Sequence, residues 1–198
     1  MHPTPVFHWS DREAMLAFVG ERGFATIAAS LDGRIAFAQA PVIVDGDHLL
    51  LHLSRANAIA KALPLRASVI VSGADCYVSP DWYGEDDQVP TWNYASVELH
   101  GELVATDDTQ LLAIVQRLSA TFEARIAGKR PWTTDKMTPS VLAAKLKGIV
   151  GIRLSIEELR GTRKLSQNKS ETARGGVARE LADSSREADR TIAALMRS

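Results

Sequence analysis

Three short segments of the chain hold the side chains best suited to chemistry. The first is His52-Leu53-Ser54-Arg55-Ala56-Asn57, with Lys61 one helical turn further on. It ends an apolar run and opens a short helical pattern. Backbone N–H groups at a helix start, a serine hydroxyl and one or two cations suit a phosphate. A capped helix with solvated Arg55 and Lys61 explains the same residues without a ligand. The second is Tyr77-Val78-Ser79-Pro80-Asp81-Trp82-Tyr83, followed by Val89-Pro90-Thr91-Trp92-Asn93-Tyr94. All three tyrosines and two of the four tryptophans of the chain fall here. So dense an aromatic cluster needs a burial partner. It serves either as packing over a barrel end or in a dimer, or as a flat wall for a planar ligand with Asn93 supplying hydrogen bonds. The third is Lys164-Leu165-Ser166-Gln167-Asn168-Lys169, a polar segment that by itself reads as a solvated linker. Its Ser-x-x-Lys spacing also occurs in serine acyl-transfer enzymes, but four-residue matches arise readily by chance.

The familiar catalytic signatures are missing. No GxGxxG follows a strand, and there is no P-loop, HExxH or GxSxG. The five histidines, at 2, 8, 48, 52 and 100, are scattered, and no Cys/His spacing suggests a metal or a haem ligand. No catalytic residue is assigned. The single cysteine, Cys76, sits in an apolar run and reads as a small core residue.

The elements that must position these segments follow from periodicity and turn chemistry. Ser10-Asp11-Arg12-Glu13 reads as a capping box before a helix with Met15, Phe18 and Val19 on one face, ended by Gly23. Strands are expected over 24–30, 34–44 and 48–53, because Asp32-Gly33 and Asp45-Gly46-Asp47 are hairpin-turn signals. A short helix over 57–63 stops near Pro64, and a fourth strand covers 67–76. The stretch 77–94 reads as a long loop, with a fifth strand at 95–105. Asp107 and Gln110 open a helix lined by Leu111, Val115, Leu118 and Phe122. Thr138-Pro139 opens another, and 149–156 is a sixth strand. A helical tail covers about 172–198, with Val177, Leu181, Ala188, Ile192 and Leu195 at helical spacing. Strands joined by short turns, with helices interposed, predict a mainly antiparallel β barrel with flanking helices, of α+β class. One domain over 1–198 is expected.

The chain has 198 residues, 45% of them hydrophobic and 24% charged, with a formal net charge of −1. That balance gives no global attraction to nucleic acid or an anionic membrane. Arg160, Arg163, Lys164, Lys169 and Arg174 form a modest basic stretch, but Glu157, Glu158 and Glu171 interrupt it. No helix-turn-helix pattern is visible, so direct DNA binding by this chain alone is not expected. No apolar run approaches the ~20 residues needed to span a bilayer, and the N-terminus lacks signal-peptide character. A cytoplasmic protein without membrane partners is expected.

HLSRAN (52–57), YVSPDWY (77–83), VPTWNY (89–94), Glu123 with Pro131-Trp132, and KLSQNK (164–169) occur in an order that resembles the PaiB-like family of FMN-binding split barrels. VPTWNY and KLSQNK carry most of the specificity. The resemblance implies a homodimer similar to the pyridoxamine-phosphate-oxidase type, with FMN in a cleft between subunits. It places His52, Ser54, Arg55, Asn57 and Lys61 in the cofactor site, with Ser54, Arg55, Asn57 and Lys61 near the phosphate. Trp92, Asn93 and Tyr94 would lie near the isoalloxazine or the cleft mouth, and Lys164, Gln167 and Asn168 would reach the same cleft. The family is named for negative transcriptional regulation. A flavin-dependent oxidoreductase acting on a small molecule is the alternative, and a barrel that binds haem or a protein partner without flavin is a third reading.

Overall fold

A computed structural model describes residues 1–197. Seven strands are present among them: β1 (His8–Trp9), β2 (Phe24–Leu31), β3 (Arg34–Asp45), β4 (His48–Ser54), β5 (Leu65–Val78), β6 (Thr91–Ala105) and β7 (Ile149–Lys164). Six α-helices accompany them: α1 (Arg12–Arg22), α2 (Ala58–Lys61), α3 (Asp108–Glu123), α4 (Pro139–Leu146), α5 (Glu171–Ala182) and α6 (Glu187–Arg197). The antiparallel sheet has the order β1-β7-β4-β3-β2-β5-β6, and β7 also pairs with β6, so the strand order closes on itself. The expected antiparallel, helix-flanked architecture is therefore present.

The chain divides into two compact units. One comprises residues 1–15, 72–98 and 160–197; the other comprises 16–71 and 99–159. The second unit is built on the expected meander. Asp32 and Gly33 both take positive φ, of 49° and 75°, and let Leu31 face Arg34 across a tight turn. Gly46 at φ 59° does the same between Asp45 and His48. Beyond the meander, β4 pairs with β7 from His48↔Ser155 to Ser54↔Ile149, and β2 pairs with β5 through Thr26↔Ile70. Helix α3 lays Ile114 and Leu118 against Ile43 and Leu50. At Gly101 a Cβ would fall 1.8 Å from the Ser155 carbonyl oxygen, so only glycine permits that approach of two backbones.

In the first unit, Cys76, Val78 and Tyr83 join Leu165 and the buried faces of α5 and α6 in one core. Val177, Leu181 and Ile192 are fully buried there, as the tail periodicity requires. Close docking of α5 depends on Gly176, where a Cβ would meet the Trp82 carbonyl oxygen at 2.4 Å.

Several local expectations are corrected. Asp11, rather than Ser10, caps α1, its carboxylate accepting from Ala14 N at 3.0 Å. The stretch 77–94 is only partly loop: β5 runs to Val78, Pro80–Tyr83 forms a 3₁₀ turn, and β6 begins at Thr91. The last strand extends to Lys164, and the tail is two helices broken at Asp183-Ser184-Ser185. Ser184 marks the break, with its hydroxyl donating to Asp189 at 2.6 Å and accepting from Arg186 N at 3.1 Å. The two-residue β1 was not anticipated; it is too short for any alternation to show.

Candidate functional site

Strand β6 alternates its side chains between faces, and this alternation divides the VPTWNY motif. Asn93 and Ala95 point inward and are buried, while Trp92 is half exposed. Just past the end of β7, Ser166 takes φ 58°, a left-handed conformation that is costly for a non-glycine residue. That bend turns its hydroxyl into the interior of the unit. There the Ser166 hydroxyl accepts from the Asn93 side-chain amide at 3.1 Å, and the Tyr83 hydroxyl lies 3.4 Å away. The Asn93 amide nitrogen also faces the Met196 sulfur at 3.6 Å. VPTWNY, YVSPDWY, KLSQNK and the tail thus meet at one buried polar node.

Beside the node lies a cavity of about 160 Å³. Its wall includes His2, Phe7, Tyr83, Lys164, Asn168 and Lys169. Lys164 donates to the Thr91 hydroxyl and, at 2.8 Å, to the Trp92 carbonyl. Partial burial holds its ammonium below the usual lysine range. Lys169 donates to the Gln88 side chain and sits 5.0 Å from the centre of the Tyr83 ring. Gln167 is turned back on its own segment, accepting from Leu165 N at 2.6 Å and donating to the Arg163 carbonyl at 2.5 Å. It therefore shapes the bend at Ser166. Tyr94 is half-buried in β6, and Tyr77 meets Trp92 edge to face at 6.3 Å. Sequence reasoning missed His2, Phe7 and Lys169 as wall residues; nothing in their local pattern links residues 2 and 7 to residue 169.

The HLSRAN segment belongs to the other unit. Asn57 caps α2, accepting from Ile59 N at 2.9 Å, and the Ser54 hydroxyl accepts from Ala56 N at 3.2 Å. Arg55 donates through Nε to the Lys147 carbonyl at 3.1 Å, at the C-terminus of α4. Its outer nitrogens remain half exposed, with Asp108 at 3.9 Å. Lys61 is exposed one turn on. His52 Nδ1 is buried without a hydrogen-bond partner, and desolvation lowers the pKa of the ring. The structure thus brings His52, Ser54, Arg55, Asn57 and Lys61 together in one unit, and Trp92, Asn93, Tyr94, Lys164, Gln167 and Asn168 in the other.

Glu123 and Pro131-Trp132 form a third feature. The Glu123 carboxylate accepts from Trp132 N at 2.8 Å and from Lys129. Both donors hold its pKa below the usual carboxylate range, the Lys129 contact first. Trp132 covers a second cavity of about 510 Å³ over α3, walled by Ser119, Ala120 and Ala124.

Residues 1–158 match the family described as "Putative FMN-binding domain". The chain belongs to this family. The PaiB-like resemblance is supported by protease synthase and sporulation protein PAI 2 of Bacillus subtilis. The two are 27% identical over 202 aligned residues, covering 99% of this chain and 96% of that protein. In solved structures the fold is similar to an FAD and haem binding protein from Mycobacterium smegmatis. The TM-score is 0.61 at 20% identity, with 79% of this chain and 73% of that one covered. A flavocytochrome from Azotobacter vinelandii gives 0.62 at 17% identity, covering 82% and 72%.

The donors of this FMN-binding domain fit a flavin. A flavin presents carbonyl and ring-nitrogen acceptors at one edge and a phosphate at the other end. Within one unit, Arg55 presents half-exposed outer nitrogens and Lys61 an exposed ammonium, donors suited to the phosphate end. The orphaned His52 Nδ1 is a buried polar atom of the kind a ligand satisfies. Bound FMN would supply reversible one- and two-electron chemistry.

Proposed function

We propose that this chain is a flavin-dependent regulator of the PaiB type, working as a homodimer that holds one FMN per chain. The observation that carries this reading is the buried node. VPTWNY and KLSQNK, 73 residues apart between Asn93 and Ser166, meet at a buried serine held in a left-handed bend. Such strain persists only where surrounding structure enforces it, and it concentrates at ligand sites. In this reading Ser54, Arg55, Asn57 and Lys61 hold the phosphate and His52 supports them. Trp92 and Tyr94 border the ring, while Asn93, Gln167 and Asn168 shape the wall on which Lys164 sits. Residues 1–198 act as one functional domain in the cytoplasm.

A second copy suits the outer face of β2, β3 and β5. Phe24, Ile35, Phe37 and Ile70 are exposed there, at 52, 59, 67 and 39%. Ala28 sits opposite Phe37 and Thr26 opposite Ile70, so these side chains share one face of the three strands. Exposed apolar patches of this kind mark association surfaces.

Regulation through a partner or through flavin state is favoured over direct DNA contact. Three tail arginines are engaged within the tail: Arg197 donates to the Ala178 carbonyl at 3.0 Å and Arg190 to the Ser184 carbonyl at 2.8 Å. Arg186 faces Asp189 at 3.3 Å. The alternative, a flavin-dependent oxidoreductase, is separated by one spectrum. FMN-loaded protein is mixed with reduced nicotinamide under argon and then exposed to air. A flavin band that stays oxidised supports the regulator; repeated bleaching and recovery makes the protein an oxidoreductase.

A further inference from the structure

We infer that the cavity between Phe7, Tyr83, Lys164 and Lys169 is an anion pocket, which takes the carboxylate or phosphate group of a small molecule other than the flavin. Size comes first. At about 160 Å³ the cavity is roughly half the lower end of the 300–1,000 Å³ typical of sites for drug-sized ligands, so a whole flavin does not fit. Liquid water occupies about 30 Å³ per molecule, so one acidic group with a short stem does fit.

Charge comes second. Two lysines, Lys164 and Lys169, are among the wall residues, and no carboxylate is. Glu85 accepts from the Ser170 hydroxyl at 2.8 Å, and Glu98 pairs with the N-terminal amine. Lys164 spends two of its three donors on Thr91 and Trp92, and Lys169 spends one on Gln88, leaving N–H groups on both. His2 adds to them. Its Nδ1 accepts from Thr4 N at 3.1 Å, so in the neutral ring Nε2 carries the proton. Burial disfavours the Lys164 charge, and an anion beside it reverses that penalty.

Rigidity comes third. Lys164 ends β7, Asn93 and Ser166 are locked behind the wall by their mutual hydrogen bond, and Lys169 rests on the Tyr83 ring. The donors are therefore held in place before a ligand arrives.

The test uses the full chain without flavin, with inorganic phosphate and acetate as probes at constant ionic strength, read by NMR of the lysine ε-CH₂ groups. Lys164→Met and Lys169→Met assign the two signals. The expected result is that both move together along one saturable curve. Each variant should weaken the response of the remaining lysine about ten- to hundredfold, as loss of a charge-assisted contact does. Absence of any saturable movement of either signal overturns the inference. If Lys164→Met does not fold, Lys169→Met and the wild-type titration still decide. FMN and riboflavin are then titrated separately. Saturating FMN that leaves phosphate binding intact supports a second ligand. Competition by FMN but not by riboflavin assigns the pocket to the flavin phosphate and overturns the separate-ligand claim. Failure of FMN to bind at all leaves the phosphate result standing, so the two readings fail independently.

Discussion

The Asn93 side-chain amide donates to the Ser166 hydroxyl at 3.1 Å inside a node from which solvent is excluded, both residues being buried. One partner comes from a strand and the other from a left-handed bend. Ser166 therefore contributes through its hydroxyl and suffers through its backbone.

These two contributions separate by substitution. Ser166→Ala keeps the strain and leaves the Asn93 amide without its oxygen acceptor, which costs about 1–3 kcal/mol for an unsatisfied buried group. Ser166→Gly loses the same hydrogen bond but relieves the backbone by about 1 kcal/mol. Urea unfolding should place the glycine variant above the alanine variant. The reverse order would show that the left-handed bend carries no strain.

The phosphate assignment predicts a selective defect. Arg55→Ala should weaken FMN about ten- to hundredfold, as removal of a charge-assisted hydrogen bond does, and leave riboflavin nearly unchanged. The Nε contact to the Lys147 carbonyl is lost at the same time, so thermal unfolding is measured in parallel. Equal weakening of both flavins would move the phosphate away from Arg55.

His52 gives a prediction in pH. Desolvation lowers its pKa in the folded protein below the ordinary 6.5. Between the lowered and the ordinary value the unfolded chain binds more protons, so stability falls as pH falls. The His52 contribution is complete above about pH 6.5 and is lost as pH drops through the folded value. His52→Gln should flatten the acid side of a stability–pH curve taken by urea unfolding. An unchanged curve would mean that the ring is solvated.

The exposed face of β2, β3 and β5 predicts the assembly. Phe37 is its most exposed aromatic, at 67%. Specific interfaces of this type bury on the order of 1,200 Å² or more, and a charge at the centre of one is not tolerated. Sedimentation should give a dimer for the wild type at micromolar concentration and a monomer for Phe37→Glu. A monomeric wild type with FMN present, or a Phe37→Glu dimer, would refute this face.

Much of the architecture was legible because local chemistry dictated it. The Asp32-Gly33 and Asp45-Gly46-Asp47 turns fixed three strands to within a residue or two, and Asp107 capped α3 as read, accepting from Gln110 N at 2.7 Å. The reading failed where tertiary contacts overrode local signals. Pro80 and Pro90 suggested a continuous loop, yet Val78 and Asn93 are core positions, so strands extend into it from both sides. Burial of Cys76 agreed with its apolar setting, and its thiol is pushed up to about 11, mainly by desolvation. The site was legible as motifs but not as geometry. Nothing local in KLSQNK reveals that Gln167 folds back on its own segment, or that Ser166 turns toward Asn93.

Flavin binding itself is tested most directly by fluorescence titration of FMN with the purified full chain, followed by gel filtration. The expected result is saturable quenching at one FMN per chain and a flavin absorbance band that co-elutes with the protein. Unchanged FMN fluorescence at saturating protein, with all the flavin eluting as free ligand, would contradict it.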